Sequence, residues 1–64
     1  MNSASMATNL LGRAVRLRER PPGCRSDEGS IPLVTIQRRE VRFLILVDGR
    51  LVRVESADQF RVLD

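Results

Sequence analysis

The chain has 64 residues, a net charge of +3 built from eleven arginines and no lysine against eight carboxylates, one cysteine, and no histidine, tryptophan or tyrosine. That inventory allows one domain with a thin core. It excludes histidine-based nucleophilic catalysis, histidine-containing zinc sites and an internal disulfide. The 20 Val, Ile, Leu and Phe residues are more than a disordered tail carries. The longest apolar run, Phe43 to Val47, is far too short to span a membrane, and no secretory apolar region is present. A cytoplasmic protein is therefore expected, and the all-arginine basicity points to a GC-rich bacterial or phage coding sequence.

Residues 1–9 are small and polar and read as a flexible N-terminal lead, leaving residues 10–64 as the domain. Residues 13–20 fit two descriptions. As a strand, Val15 and Leu17 face one way and Arg16, Arg18 and Arg20 the other. As a helix starting near Thr8, they present a modest apolar stripe weakened by Gly12. Pro21-Pro22-Gly23 breaks the chain, the polar stretch Cys24 to Ser30 continues as a loop, and Pro32 holds Ile31 extended.

From Leu33 onward the chain alternates like a sheet. Asp48-Gly49 between Phe43-Leu-Ile-Leu-Val47 and Arg50-Leu-Val-Arg-Val54 is a hairpin signal, because a type I′ turn needs positive φ at both central residues. A two-residue turn there pairs Val47 with Arg50, Ile45 with Val52 and Phe43 with Val54. On the other face it sets Leu46 against Leu51, Leu44 against Arg53 and Arg42 against Glu55, an opposite-charge pair. A third strand, Leu33 to Arg38, turns back through Arg39-Glu40 in the expected register, which sets Val34 against Ile45 and Ile36 against Phe43. The expected core is Val34, Ile36, Val41, Phe43, Ile45, Val52 and Val54. Ser56 to Gln59 reads as one helical turn with a serine cap, and Phe60 to Leu63 as a closing strand.

Three segments carry a family resemblance: the opening Gly12-Arg-Ala-Val-Arg-Leu17, the hairpin Asp48-Gly-Arg-Leu-Val-Arg-Val54 and the closing Ser56-Ala-Asp-Gln-Phe-Arg-Val-Leu63. In this order the chain resembles the SH3-like small barrel of the bacterial Tudor, KOW and CarD type, over Gly12 to Leu63. The resemblance implies an all-β, five-stranded barrel with a one-turn helix before the last strand. The alternative architecture is an N-terminal helix packed on a three- to four-stranded antiparallel meander. The chain departs from the pattern at Ile31-Pro32, where a glycine usually opens the second strand. It also lacks the aromatic cluster with which such domains hold proline-rich or methylated ligands.

Two surfaces carry functional expectations. In the expected registers, Leu33, Leu46 and Leu51 form one row on the outer face of the sheet, next to Leu44 and flanked by Arg42 and Arg53. An apolar row on a wet face marks an interaction surface unless Leu10 and Leu11 of the N-terminal segment fold over it. The first reading is thus a non-enzymatic module that binds a protein partner or itself, in the manner of a phage or mobile-element regulator or inhibitor of a bacterial assembly. The charge is lopsided: residues 1–26 carry five arginines against Glu19, net +4, and residues 27–64 six arginines against seven carboxylates, net −1. Arg16, Arg18, Arg20 and Arg25 therefore define the alternative reading, a DNA- or RNA-binding barrel, although base-stacking aromatics are lacking. Cys24 reads as an incidental thiol in a polar loop. No catalytic residue, metal site, cofactor or small-molecule substrate is expected.

Overall fold

The computed structural model of the protein describes residues 8–64, so most of the lead expected over residues 1–9 lies outside the described residues. Five strands follow in chain order: β1 Ala14–Leu17, β2 Glu28–Gln37, β3 Glu40–Val47, β4 Arg50–Val54 and β5 Phe60–Val62, with a 3-10 turn at Ala57–Gln59 before β5. They form one antiparallel sheet in the order β4-β3-β2-β1-β5. The fold is all-β. Ala14–Leu17 is a strand and not a helix, which removes the helix-on-meander alternative.

Side-chain alternation gives the sheet two unlike faces. Val15 and Leu17 of β1, Ile31 of β2, Phe43, Ile45 and Val47 of β3, Val54 of β4 and Phe60 of β5 point to one side and form a single buried cluster. The Phe43 and Phe60 rings meet edge-to-face with centroids 5.0 Å apart. Their strands lie three places apart in the sheet, about 14 Å if the sheet were flat. The sheet is therefore strongly curled around its core, with β4 and β5 as its two free edges.

The Asp48-Gly49 hairpin has the register its turn dictates: Val47 pairs with Arg50, Ile45 with Val52 and Phe43 with Val54. Both turn residues have positive φ, 51° and 76°, as a type I′ turn requires. Ser56 accepts a hydrogen bond from the Asp58 N–H and caps the 3-10 turn.

The β2–β3 hairpin differs from expectation in three ways. Its turn residues are Arg38 and Arg39, not Arg39 and Glu40, so Val34 meets Phe43 and Ile36 meets Val41. The two registers differ by a slide of two residues, which leaves every side chain on the same face, so alternation does not distinguish them. Second, β2 begins at Glu28 rather than Leu33. A bulge makes this compatible with Pro32: Ser30 pairs with Leu46 and Leu33 with Leu44, leaving Ile31 and Pro32 together opposite Ile45. A proline fits there because a bulged residue owes the ladder no N–H. Ile31 turns inward and is fully buried, while Pro32 is exposed. Third, the slide carries Ile36 out past the core, where it is 44% exposed, and Val34, Val41 and Val52 are only partly buried. The core is completed instead by Val15, Leu17, Cys24, Ile31, Val47 and Phe60.

Gly29 marks a close approach of β2 to β3. A Cβ on it would lie 2.1 Å from the Leu46 carbonyl oxygen and 2.9 Å from Val47 Cγ2, so only glycine fits at this bend.

Candidate functional site

The convex face of the sheet is set by register. Leu51 of β4 lies opposite Leu46 of β3, and Leu46 opposite Ser30 of β2, which in turn faces Ala14 of β1. The Leu63 N–H donates to the Ala14 carbonyl at 2.8 Å, carrying the row to the chain beyond β5. The adjacent row is Arg53, Leu44 and Leu33. Leu33 therefore stands beside Leu44 and diagonal to Leu46, not in line with Leu46 and Leu51, because of the two-residue slide, and the bulge before it places Ser30 opposite Leu46. The four leucines still form one patch, with Leu33, Leu46 and Leu51 at 50%, 40% and 61% exposure and Leu44 half-buried.

The N-terminal segment does not cover this patch within the described residues. Leu10 packs against the core on the concave side, and Leu11 is itself exposed. Beyond Leu44, Arg42 lies 3.0 Å from Glu40 and 3.9 Å from Glu55, the latter being the expected cross-strand pair. On the opposite side of the patch, Arg16 bonds to Glu28 across β1 and β2. The hydrogen bond and the charge of Glu28 hold the Arg16 guanidinium above its ordinary pKa. The leucine patch is thus an apolar band between two rims of paired charge.

The four arginines expected to bind nucleic acid are not brought to one surface. Arg16 is on the convex face, its charge matched by Glu28. β1 ends at Leu17, so Arg18 and Arg20 belong to the loop rather than to a strand side. The Arg18 backbone N–H donates to the Gln59 carbonyl at 3.0 Å, and its side chain donates to the Asp58 carbonyl, clamping the 3-10 turn. Arg20 and Arg25 border a shallow hollow whose other residues include Asp27 and Glu28, the latter already paired with Arg16.

Cys24 is not a solvent thiol. It is 7% exposed, and its Sγ lies 3.9 Å from the Val47 carbonyl oxygen. The loop is drawn in by Asp48, whose Oδ2 accepts the backbone N–H groups of Arg25 and Ser26, the second at 3.1 Å. The turn residue Asp48 therefore does two jobs, and sequence reasoning found only one. A short acceptor beside a hairpin turn signals a turn, and nothing local says that a loop 22 residues earlier will dock on it. Among the described residues, no group of three or more metal-ligating side chains gathers, and no helix is long and apolar enough to cross a membrane. Comparison of the chain with protein-family models, with curated proteins and with solved structures finds no match in any of the three.

Proposed function

We propose that this chain is a small non-enzymatic binding module, a cytoplasmic regulator or inhibitor that docks a protein partner on the convex face of its sheet. The observation that carries the reading is the contiguous apolar patch of exposed Leu33, Leu46 and Leu51 with half-buried Leu44 among them. Single exposed leucines are ordinary. Four on one face, in a domain whose core is already filled from the other face, are what an interaction surface presents. Paired charges on both rims, Arg42 with Glu40 and Glu55 and Arg16 with Glu28, give such a surface a polar border, with Arg53 at its side. The strand order and the curled core also support the similarity to SH3-like small barrels of the Tudor, KOW and CarD type.

The test compares two variants in affinity capture from a bacterial lysate, with light scattering of the chain alone to separate self-association. Leu46→Ser with Leu51→Ser should abolish capture of a protein partner while leaving the circular dichroism spectrum and the unfolding midpoint close to wild type. Arg20→Glu with Arg25→Glu should leave capture intact. If the leucine variant unfolds, those side chains are core and the reading fails. Loss in the arginine variant alone, with nucleic acid in the wild-type eluate, replaces it with the nucleic-acid reading.

A further inference from the structure

The opposite boundary of β4 carries a second feature. Between β4, the 3-10 turn and the loop after β1 lies a cleft of about 330 Å³. Val52, Val54 and Pro21 give it an apolar lining, and Arg18, Arg20 and Arg53 stand around it with Glu19 as the one carboxylate. Among the described residues the Arg20 and Arg53 side chains make no hydrogen bond or ion pair, and Arg18 spends one side-chain nitrogen on the Asp58 carbonyl.

The backbone beside this cleft is also open. A two-residue turn makes Val47 and Arg50 a hydrogen-bonded pair, and pairing alternates along the ladder. Val52 and Val54 therefore bond to β3, while the N–H and C=O groups of Leu51, Arg53 and Glu55 point outward. The Glu55 N–H does so visibly, donating to Gln59 Oε1 at 3.2 Å. Leu51 and Arg53 remain on a free edge, since among the described residues no strand lies beyond β4.

We infer that the β4 edge and its arginine-lined cleft form a second binding site, for an extended acidic peptide segment that adds a strand to β4. The open N–H and C=O groups of Leu51 and Arg53 bond the peptide backbone, and the three arginines receive its carboxylates. Charge selects this occupant over the two obvious rivals. A second copy offering its own free edge, β5, would bring Arg61 toward Arg20 and Arg53, like against like. A nucleic acid would find Glu19 on the rim, a valine lining and no aromatic side chain on which to stack a base. The site borders the leucine patch and shares Leu51 and Arg53 with it, but it uses the outward backbone groups of β4 and the arginine-lined cleft rather than the Leu33, Leu44 and Leu46 side chains.

The probe is an N-acetylated, C-amidated peptide of alternating valine and glutamate, titrated into the full chain and followed by amide NMR. The expected result is that the amides of Leu51 and Arg53 shift and gain protection from exchange. Replacing glutamate by glutamine in the peptide, or Arg20→Ala with Arg53→Ala in the protein, should weaken binding by about tenfold, the loss of two charge-assisted contacts on an exposed rim. Neither side chain has a partner among the described residues, so the double variant should keep the wild-type spectrum elsewhere. The inference is overturned if no shift appears at millimolar peptide, if shifts appear only away from β4, or if the glutamine peptide binds equally well. Shifts of the same amides with an oligonucleotide and not with the peptide overturn it too, and assign the cleft to nucleic acid.

Discussion

The two hairpins of this sheet turn through the same number of residues with the same handedness, yet their chemistry is opposite. At one end, Asp48 and Gly49 take φ of 51° and 76°. They are residues that enter the left-handed region at little cost. Asp48 then uses its carboxylate to hold the Arg25 and Ser26 backbone, which seats Cys24 in the core. At the other end, Arg38 and Arg39 take φ of 50° and 67°. Both carry a full side chain into a region that disfavours it, and among the described residues neither guanidinium has a partner. The first turn is the residue choice that the backbone asks for. The second is imposed on its residues by the ladder on either side: Gln37 pairs with Glu40, and the register is anchored farther in by Val34 against Phe43. A hairpin turn is thus specified locally in one case and by the core in the other.

The largest expected contrast removes apolar bulk at each end. Ile45, fully buried, lies opposite the bulge near the first turn, and Ile36, 44% exposed, lies near the second. Ile45→Ala should cost about 2–5 kcal/mol of unfolding free energy. Ile36→Ala should cost no more than about 1 kcal/mol, since little of its surface is removed from water. Urea denaturation of the two variants measures both. Equal costs would mean that the second hairpin end is packed as tightly as the first and that its turn is not an outlying tip.

A second test repairs the misfit. Replacing Arg38 and Arg39 by Asn-Gly supplies the pair a type I′ turn prefers. It should raise stability by about 1–2 kcal/mol, the relief of two left-handed positions less the added chain entropy of glycine. The same measurement on Asp48→Arg with Gly49→Arg should show a loss and expose Cys24 to a thiol reagent, because the loop anchor goes with the turn. If the Asn-Gly variant is no more stable than wild type, the left-handed arginines are not under strain.

How much of this was legible beforehand follows the same division. The Asp48-Gly49 register, the Arg42–Glu55 pair and the Ser56 cap are all written within a few residues of where they act, whereas the Val15 and Leu17 alternation fits a strand without saying that this face is core. The Arg38-Arg39 turn carries no residue signal, and a two-residue slide preserves alternation, so the expected position was off by one and Ile36 was wrongly counted in the core. The bulge at Ile31-Pro32 and the burial of Cys24 depend on contacts with β3 and Asp48, far along the chain. The leucine face survived these errors because a face depends only on parity. The alignment of Leu33 did not, because a row depends on register. The arginines were legible as charge but not as partners: Glu28 and the Asp58 carbonyl, which occupy Arg16 and Arg18, come into reach only when β2 and the 3-10 turn flank β1.

The smallest expected effect lies on the β1–β5 flank, which neither turn controls. Arg13 Nε donates to the Asp64 carboxylate at 2.8 Å, and this hydrogen bond, above all, holds the Asp64 carboxyl below its ordinary pKa. A carboxyl that binds protons more weakly in the folded chain than in the unfolded one favours folding where it is ionised. That contribution is complete above the unfolded value of roughly 4, and it disappears as the pH falls through the lower, folded value. Wild type should therefore exceed Asp64→Asn in urea midpoint at neutral pH, and the two midpoints should converge as the pH falls through the lowered folded value, where both come to carry a neutral side chain at this position. Because both groups of the pair are exposed to solvent, raising the salt concentration at neutral pH should also narrow the gap. A gap that persists unchanged in acid would show that Asp64 acts through its shape and backbone contacts, and that its charge does not help fasten the edge of the sheet to Arg13.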